Sequence, residues 1–193
     1  MRDFISRLSV GDIITAKVTH LESFGAFIDI GAGINSLIPI DMLSVSRISH
    51  PSERVHINQT IRTVLKKREA TKLTFSLKEL LGTWQENADK FSVGETVTGT
   101  VRSIEEYGVF VELTPNLAGL AEPCESLKPG QRVSVYIKSI LPERMKVKLV
   151  IVDAFDTAES NDELEYFVSG DHIDEWQFSP EGASKEIGCV FGA

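Results

Sequence analysis

The chain has 193 residues, 42% hydrophobic and 25% charged, proportions that exclude a wholly disordered or collagen-like polymer. No run approaches the roughly 20 apolar residues of a membrane-crossing helix, and the N-terminal MRDFISRLSVGD lacks the apolar core of a secretory signal. Two cysteines, Cys124 and Cys189, are too few for a disulfide framework, so a reducing, cytoplasmic setting is expected.

The charge is unevenly spread. The formal net charge is −8, yet residues 1–81 carry 11 Lys and Arg against 8 Asp and Glu, and residues 82–153 carry 8 against 10. Residues 154–193 carry 1 against 10. The acidity therefore sits in the last 40 residues, and a block of that kind reads as a solvated tail or a separate element. The remainder is near neutral, so an anionic partner is not excluded.

In chain order, the first group of elements lies within residues 8–78. Runs rich in Val, Ile, Thr and Phe, divided by Gly, Pro and Asn, predict strands near 12–20, 24–31, 34–38, 60–67 and 71–78. KELLGTWQENADKF (78–91) follows, with Leu80, Leu81, Trp84, Ala88 and Phe91 at helical spacing. It predicts a short helical linker over 79–91. A second group of strands is expected near 95–104, 107–113, 118–121, 132–140 and 145–152, within residues 92–153.

The second group repeats the first. VGDIITAKVTHLESFGAFIDIGAGINSLIP (10–39) aligns without a gap on VGETVTGTVRSIEEYGVFVELTPNLAGLAE (93–122), with 8 of 30 positions identical. The match resumes with INQTIRTVLK (57–66) over PGQRVSVYIK (129–138), so the first repeat carries 11 extra residues around Asp41–His56. Five short strands in so small a unit fit a closed barrel, which leaves no sheet edge exposed. The class is all-β: two five-stranded barrels joined by a helical linker, followed by an acidic segment at 154–193.

The faces of the strands carry the functional signal. Alternation sets Ala26, Ile28 and Ile30 against Phe27 and Asp29, so Phe27 shares a wet face with a carboxylate. Phe110 and Glu112 repeat the pattern. Gly25 and Gly108 lie inside strands, where a bulge would turn Phe24 and Tyr107 onto that same face. Alternation also supplies cations: Lys17, then Arg62 and Lys66, then Lys72 in the first repeat, with Lys138 and Lys146 in the second. Exposed rings flanked by cations suit single-stranded nucleic acid, whose bases stack on the rings while Lys and Arg follow the phosphates. The competing reading is that Phe24 and Phe27 cap the open end of a small barrel. Glu105, Glu106, Glu112 and Glu122 crowd the second repeat, so the first is expected to bind more tightly.

The order V-G-D, F-G-A-F, a Gly-rich turn, L-I-P-I and S-L-K resembles the S1 RNA-binding domain, an OB-fold repeat. Residues 10–80 and 93–152 both follow it, and the stretch as a whole is similar to bacterial S1-type proteins with several such domains. A chain that begins almost on a repeat fits the C-terminal part of a longer protein. The resemblance implies RNA lying across strands two and three, with Phe24 and Phe27, or Tyr107 and Phe110, stacking bases. A His that the family often carries on strand three is replaced here by Pro39 and Glu122. The family's acidic and basic positions before strand five map to Arg68 and Lys72, with Lys146 as the basic position in the second repeat. Arg47 and His50, in the 11-residue insertion, would flank the RNA face.

The expected partner is single-stranded RNA, messenger RNA first, in a ribosome- or translation-associated protein that also contacts the small ribosomal subunit. Alternatives are a protein-interaction scaffold, or accessory domains of an RNA-processing enzyme. The four histidines, His20, His50, His56 and His172, lack metal spacing and read as surface or turn residues. GAG (31–33) is a turn without the third glycine of a dinucleotide fingerprint, and the NQT sequon at Asn58 would matter only on a secretory route. No Ser-His-Asp, Cys-His or paired-carboxylate arrangement is legible, so neither catalysis nor a cofactor is expected. At the acidic end, AFDTAESNDELE reads as polar and mobile, while Tyr166, Phe167, Val168, Ile173, Trp176 and Phe178 predict a β-hairpin docked on the second barrel. Its carboxylates would compete with RNA for the basic face or bind a partner protein.

Overall fold

The computed structural model describes residues 7–31, 33–155 and 164–191. The chain divides into two units. The first holds the described residues up to Gly82 with Tyr166–Gln177 and those from Gly188 on; the second holds those between Thr83 and Glu165 with Phe178–Ile187.

In the first unit, β1 (Ile13–Glu22), β2 (Gly25–Asp29), β3 (Asn35–Pro39), β4 (Thr60–Arg68) and β5 (Lys72–Ser76) close in the order β1-β2-β3-β5-β4. All neighbours are antiparallel except β3 and β5. The inward side chains alternate as the sequence requires. Val18, Ala26, Ile38, Ile61, Leu73 and Phe75 are buried, and β-branched and aromatic residues dominate because they fill a pleated surface. The 3-10 helix Lys78–Leu81 follows β5.

The second unit repeats the barrel with β6 (Thr96–Glu105), β7 (Gly108–Thr114), β8 (Leu117–Ala121), β9 (Arg132–Leu141) and β10 (Lys146–Phe155), again with one parallel pair, β8 and β10. Its core is Val101, Val109, Val111, Val133, Val135 and Ile137. The helix α1 (Trp84–Ala88) belongs here, opened by a capping box in which Thr83 accepts from the Glu86 N–H and Glu86 accepts from the Thr83 N–H. The single helix expected over 79–91 is therefore two short helices, divided at Gly82 (φ 96°).

The C-terminal segment forms two short paired strands, β11 (Glu175–Gln177) and β12 (Gly188–Val190). Both belong to the first unit, which corrects the expectation of docking on the second barrel. The reason lies in β1 and β4. The Ile13 N–H donates to the Asp171 carbonyl at 2.8 Å, the Ile173 N–H donates to the Gly11 carbonyl at 2.9 Å, and Arg62 supplies further donors. Gly11 (φ 100°) makes the approach possible: a Cβ there would lie 2.3 Å from the Ile173 carbonyl oxygen. Residues Phe178–Ile187 group with the second unit, where the Ser184 N–H donates to the Glu143 carbonyl at 2.7 Å. Of the stretch AFDTAESNDELE (154–165), expected to be mobile, Ala154 and Phe155 instead end β10, and residues 156–163 lie outside the described residues.

Candidate nucleic-acid interface

The first ring site is built on β1 and β2. Phe24 stands in the turn before β2 and is 53% exposed, while Phe27 is half-buried; their rings meet edge to face with centroids 5.9 Å apart. Phe27 pairs across the ladder with His20, whose exposed ring lies 6.1 Å away at 35°. From the sequence, His20 reads as a plain surface residue. It shares the ring face because β1 slips by one residue between Val18 and His20, opposite an unshifted β2. The bulge expected at Gly25 is thus on the neighbouring strand. Gly25 serves close approach instead, since a Cβ would lie 2.4 Å from the Ile38 carbonyl oxygen. Lys17 pairs with Asp29 and Lys72 with Asn35; both lysines are exposed.

The second site repeats this design on β6 and β7. Tyr107 is 65% exposed and meets half-buried Phe110 edge to face at 6.0 Å. Gly108 packs as Gly25 does, since a Cβ there would lie 2.4 Å from the Ala121 carbonyl oxygen, and β6 slips between Val101 and Ser103. Ser103 stands opposite Phe110 where the first barrel has His20. Tyr107 and Phe110 open into a groove of roughly 510 Å³ also lined by Leu120, Lys138, Lys146 and Lys148. The register explains why a cation shares the groove with the rings: Phe110 pairs with Leu120, and Leu120 with Lys148. In the first barrel the same row runs Phe27, Leu37, Thr74. Glu122 also lines the groove, but Glu112 does not crowd it. Its carboxylate is buried against Arg102, with an N–O distance of 3.2 Å.

Several expected cations of the first barrel are engaged by their own chain. Arg62 donates through Nη1 to the Val168 carbonyl and through Nη2 to the Gly170 carbonyl at 2.8 Å. Its backbone N–H donates to the Tyr166 hydroxyl at 3.1 Å. Burial raises the Tyr166 phenol above its usual range, the neighbouring Arg62 acting in the opposite sense. Lys66 lies 3.2 Å from the fully buried Glu79 carboxylate and 4.8 Å from the Phe191 ring centroid. Burial works to lower the Lys66 pKa, but Glu79 and the Cys189 thiol outweigh it and hold the ammonium above the ordinary value. Arg68 donates through Nη1 to the Leu8 carbonyl at 2.7 Å. The alternation expected along β4 does not hold throughout: β4 slips by one residue at Lys66, its outer side faces the docked C-terminal segment, and Val64 between Arg62 and Lys66 is fully buried.

Arg47 is exposed, whereas the His50 ring caps the 3-10 helix Pro51–Glu53, its Nδ1 accepting from the Ser52 N–H at 3.1 Å. Among the described residues no group of His, Cys, Asp and Glu is placed to hold a metal ion, and no helix is long and apolar enough to cross a membrane.

Residues 7–78 match the family model described as the S1 RNA binding domain. The "Small ribosomal subunit protein bS1" of Staphylococcus aureus (strain COL) is 35% identical over 76% of this chain and 41% of its own length. The protein of the same name from Staphylococcus haemolyticus (strain JCSC1435) is 30% identical over 97% of this chain and 50% of its own length. The chain thus spans about half, or less, of the curated relatives it matches. Among solved structures, that of GSP13 from Bacillus subtilis is similar with a TM-score of 0.35 and 22% identity, covering 37% of this chain and 57% of that one. The family is therefore shown for the first barrel: residues 7–78, a closed five-stranded OB fold matched along its length, form an S1 RNA-binding domain.

Proposed function

We propose that the chain is a non-catalytic, single-stranded RNA-binding module of a translation-associated, S1-like protein. Exposed ring pairs on both barrels stack bases, and nearby cations hold the phosphates. The observation that carries this reading is the groove of the second barrel, where Tyr107 and Phe110 share one concavity with Lys138, Lys146 and Lys148. Base stacking on a ring contributes about 1–3 kcal/mol and accepts any base, so sequence preference is weak. In the first barrel the rings Phe24 and Phe27 are the main contact, with Lys17 and Lys72 as the cations on their face and the exposed Arg47 of the insertion as a further phosphate contact. The relatives are named as proteins of the small ribosomal subunit, which supports contact with that subunit, messenger RNA as the ligand and residence in the cytoplasm.

The test is a titration of a labelled single-stranded oligonucleotide of RNA, and of its duplex, over a range of salt. The single strand should bind far more tightly than the duplex, with a log–log salt slope of about −0.7 per phosphate neutralised. Equal binding to both, or binding indifferent to salt, contradicts the reading.

A further inference from the structure

We infer that His20 is a third base-stacking residue of the first barrel, so that its site takes three successive nucleotides where the second barrel takes two. This rests on the RNA-binding reading above. The bases of a single strand need flat, solvent-facing surfaces at successive positions. Phe27 is the shared neighbour of two such rings, Phe24 at 5.9 Å and His20 at 6.1 Å, so the aromatic surface continues from β2 onto β1. The His20 side chain is 58% exposed and leaves room for a base. Its Nε2 lies 2.5 Å from the Glu22 carboxylate, which fixes the ring orientation before any ligand arrives. A ring ordered in advance loses less freedom on binding. The residue that turns His20 outward is the bulged Thr19, whose hydroxyl donates to the Phe27 carbonyl at 3.2 Å. The second barrel has the same slip but places Ser103 at the equivalent position, which offers no ring.

An exposed His–Glu pair without a ligand role is the competing explanation, and such pairs contribute little. Substitutions separate the two. The full chain carrying Tyr107→Ala and Phe110→Ala lacks the second barrel's ring pair, and oligouridylates of increasing length are titrated into it. His20→Ala in that background should weaken binding roughly fivefold or more and shorten the oligonucleotide length at which affinity levels off by one nucleotide. His20→Phe should retain affinity, and Glu22→Gln should change it less than His20→Ala does. If Phe27→Ala weakens binding while His20→Ala leaves both affinity and length unchanged, His20 has no stacking role and the RNA reading stands. If neither substitution matters, or the background does not bind, the first barrel is not a ring-based RNA site and the inference falls with it. Melting curves of each variant check that the barrel remains folded.

Discussion

The guanidinium of Arg62 lies 5.7 Å from the ring centroid of Tyr166, a residue 104 positions later in the chain. That contact, with the bonds from Arg62 to the Val168 and Gly170 carbonyls, ties the start of the C-terminal segment to β4. Arg62→Ala should therefore loosen residues 166–170 while leaving the barrel intact. Hydrogen exchange of the Phe167 N–H, which donates to the Leu80 carbonyl, reads this directly. Unchanged protection there would show that Arg62 is not the fastening.

A second tie is titratable. His172 Nδ1 lies 2.7 Å from Asp12 and Nε2 lies 2.9 Å from Asp174, and these bonds, Asp12 first, raise the His172 pKa above its usual 6.5. The docked state then binds the proton more tightly than the free segment does. Docking gains its full contribution below about pH 6.5 and loses it as pH rises through the raised value. NMR titration of the His172 ring should give a pKa above 6.5, falling toward the ordinary value in Asp12→Asn, where Asp174 remains. A ring that titrates below 6.5 refutes the clasp.

Much of this organisation is legible in the sequence, and the part that is not has a physical cause. Alternation of Ala26, Ile28 and Ile30 against Phe27 and Asp29 places the strands and one ring face, and the offset repeat gives the second barrel. Local spacing does not reveal which cations remain available. Arg62 and Lys66 do lie on the outer side of β4, but that side is covered by residues more than 100 positions away. Nor does it reveal the bulge at Thr19, because a one-residue slip in an exposed strand reverses a side chain without altering its composition. His20 is hidden for that reason, and the availability of Lys148 depends on a parallel pairing with Leu120 that no short-range pattern specifies.

Gly11 joins the segment to the barrel by being small. Gly11→Ala adds a methyl group 2.3 Å from the Ile173 carbonyl oxygen at φ 100°, a conformation that costs a non-glycine residue about 1–3 kcal/mol. Thermal unfolding should show a clear loss of stability together with faster exchange at the Ile173 N–H. Wild-type stability would mean that the approach is looser than the geometry requires.

Glu79 is fully buried beside Lys66, and it also accepts from the Ser76 hydroxyl. Removing one member of a buried pair leaves the other charge without its partner, at a cost of about 3–5 kcal/mol. Glu79→Ala should fall in that range in denaturant unfolding. A loss below roughly 1 kcal/mol would class the pair with surface ion pairs.

The lysines of the second groove carry the electrostatic part of the account. Replacing Lys138, Lys146 and Lys148 together by Ala should reduce the magnitude of the salt slope by about 2, at about 0.7 for each lost phosphate contact. The same triple change should leave the melting temperature nearly unaltered, because all three side chains border an open groove. An unaltered slope would place the phosphates elsewhere.

The most direct measurement is the affinity of the full chain for a single-stranded RNA oligonucleotide when Phe24, Phe27, Tyr107 and Phe110 are all changed to Ala. The account predicts a loss of at least a hundredfold, with the fold retained by circular dichroism, since each ring contributes about 1–3 kcal/mol. Affinity within a fewfold of the unchanged protein would contradict it, because RNA would then be held without the rings.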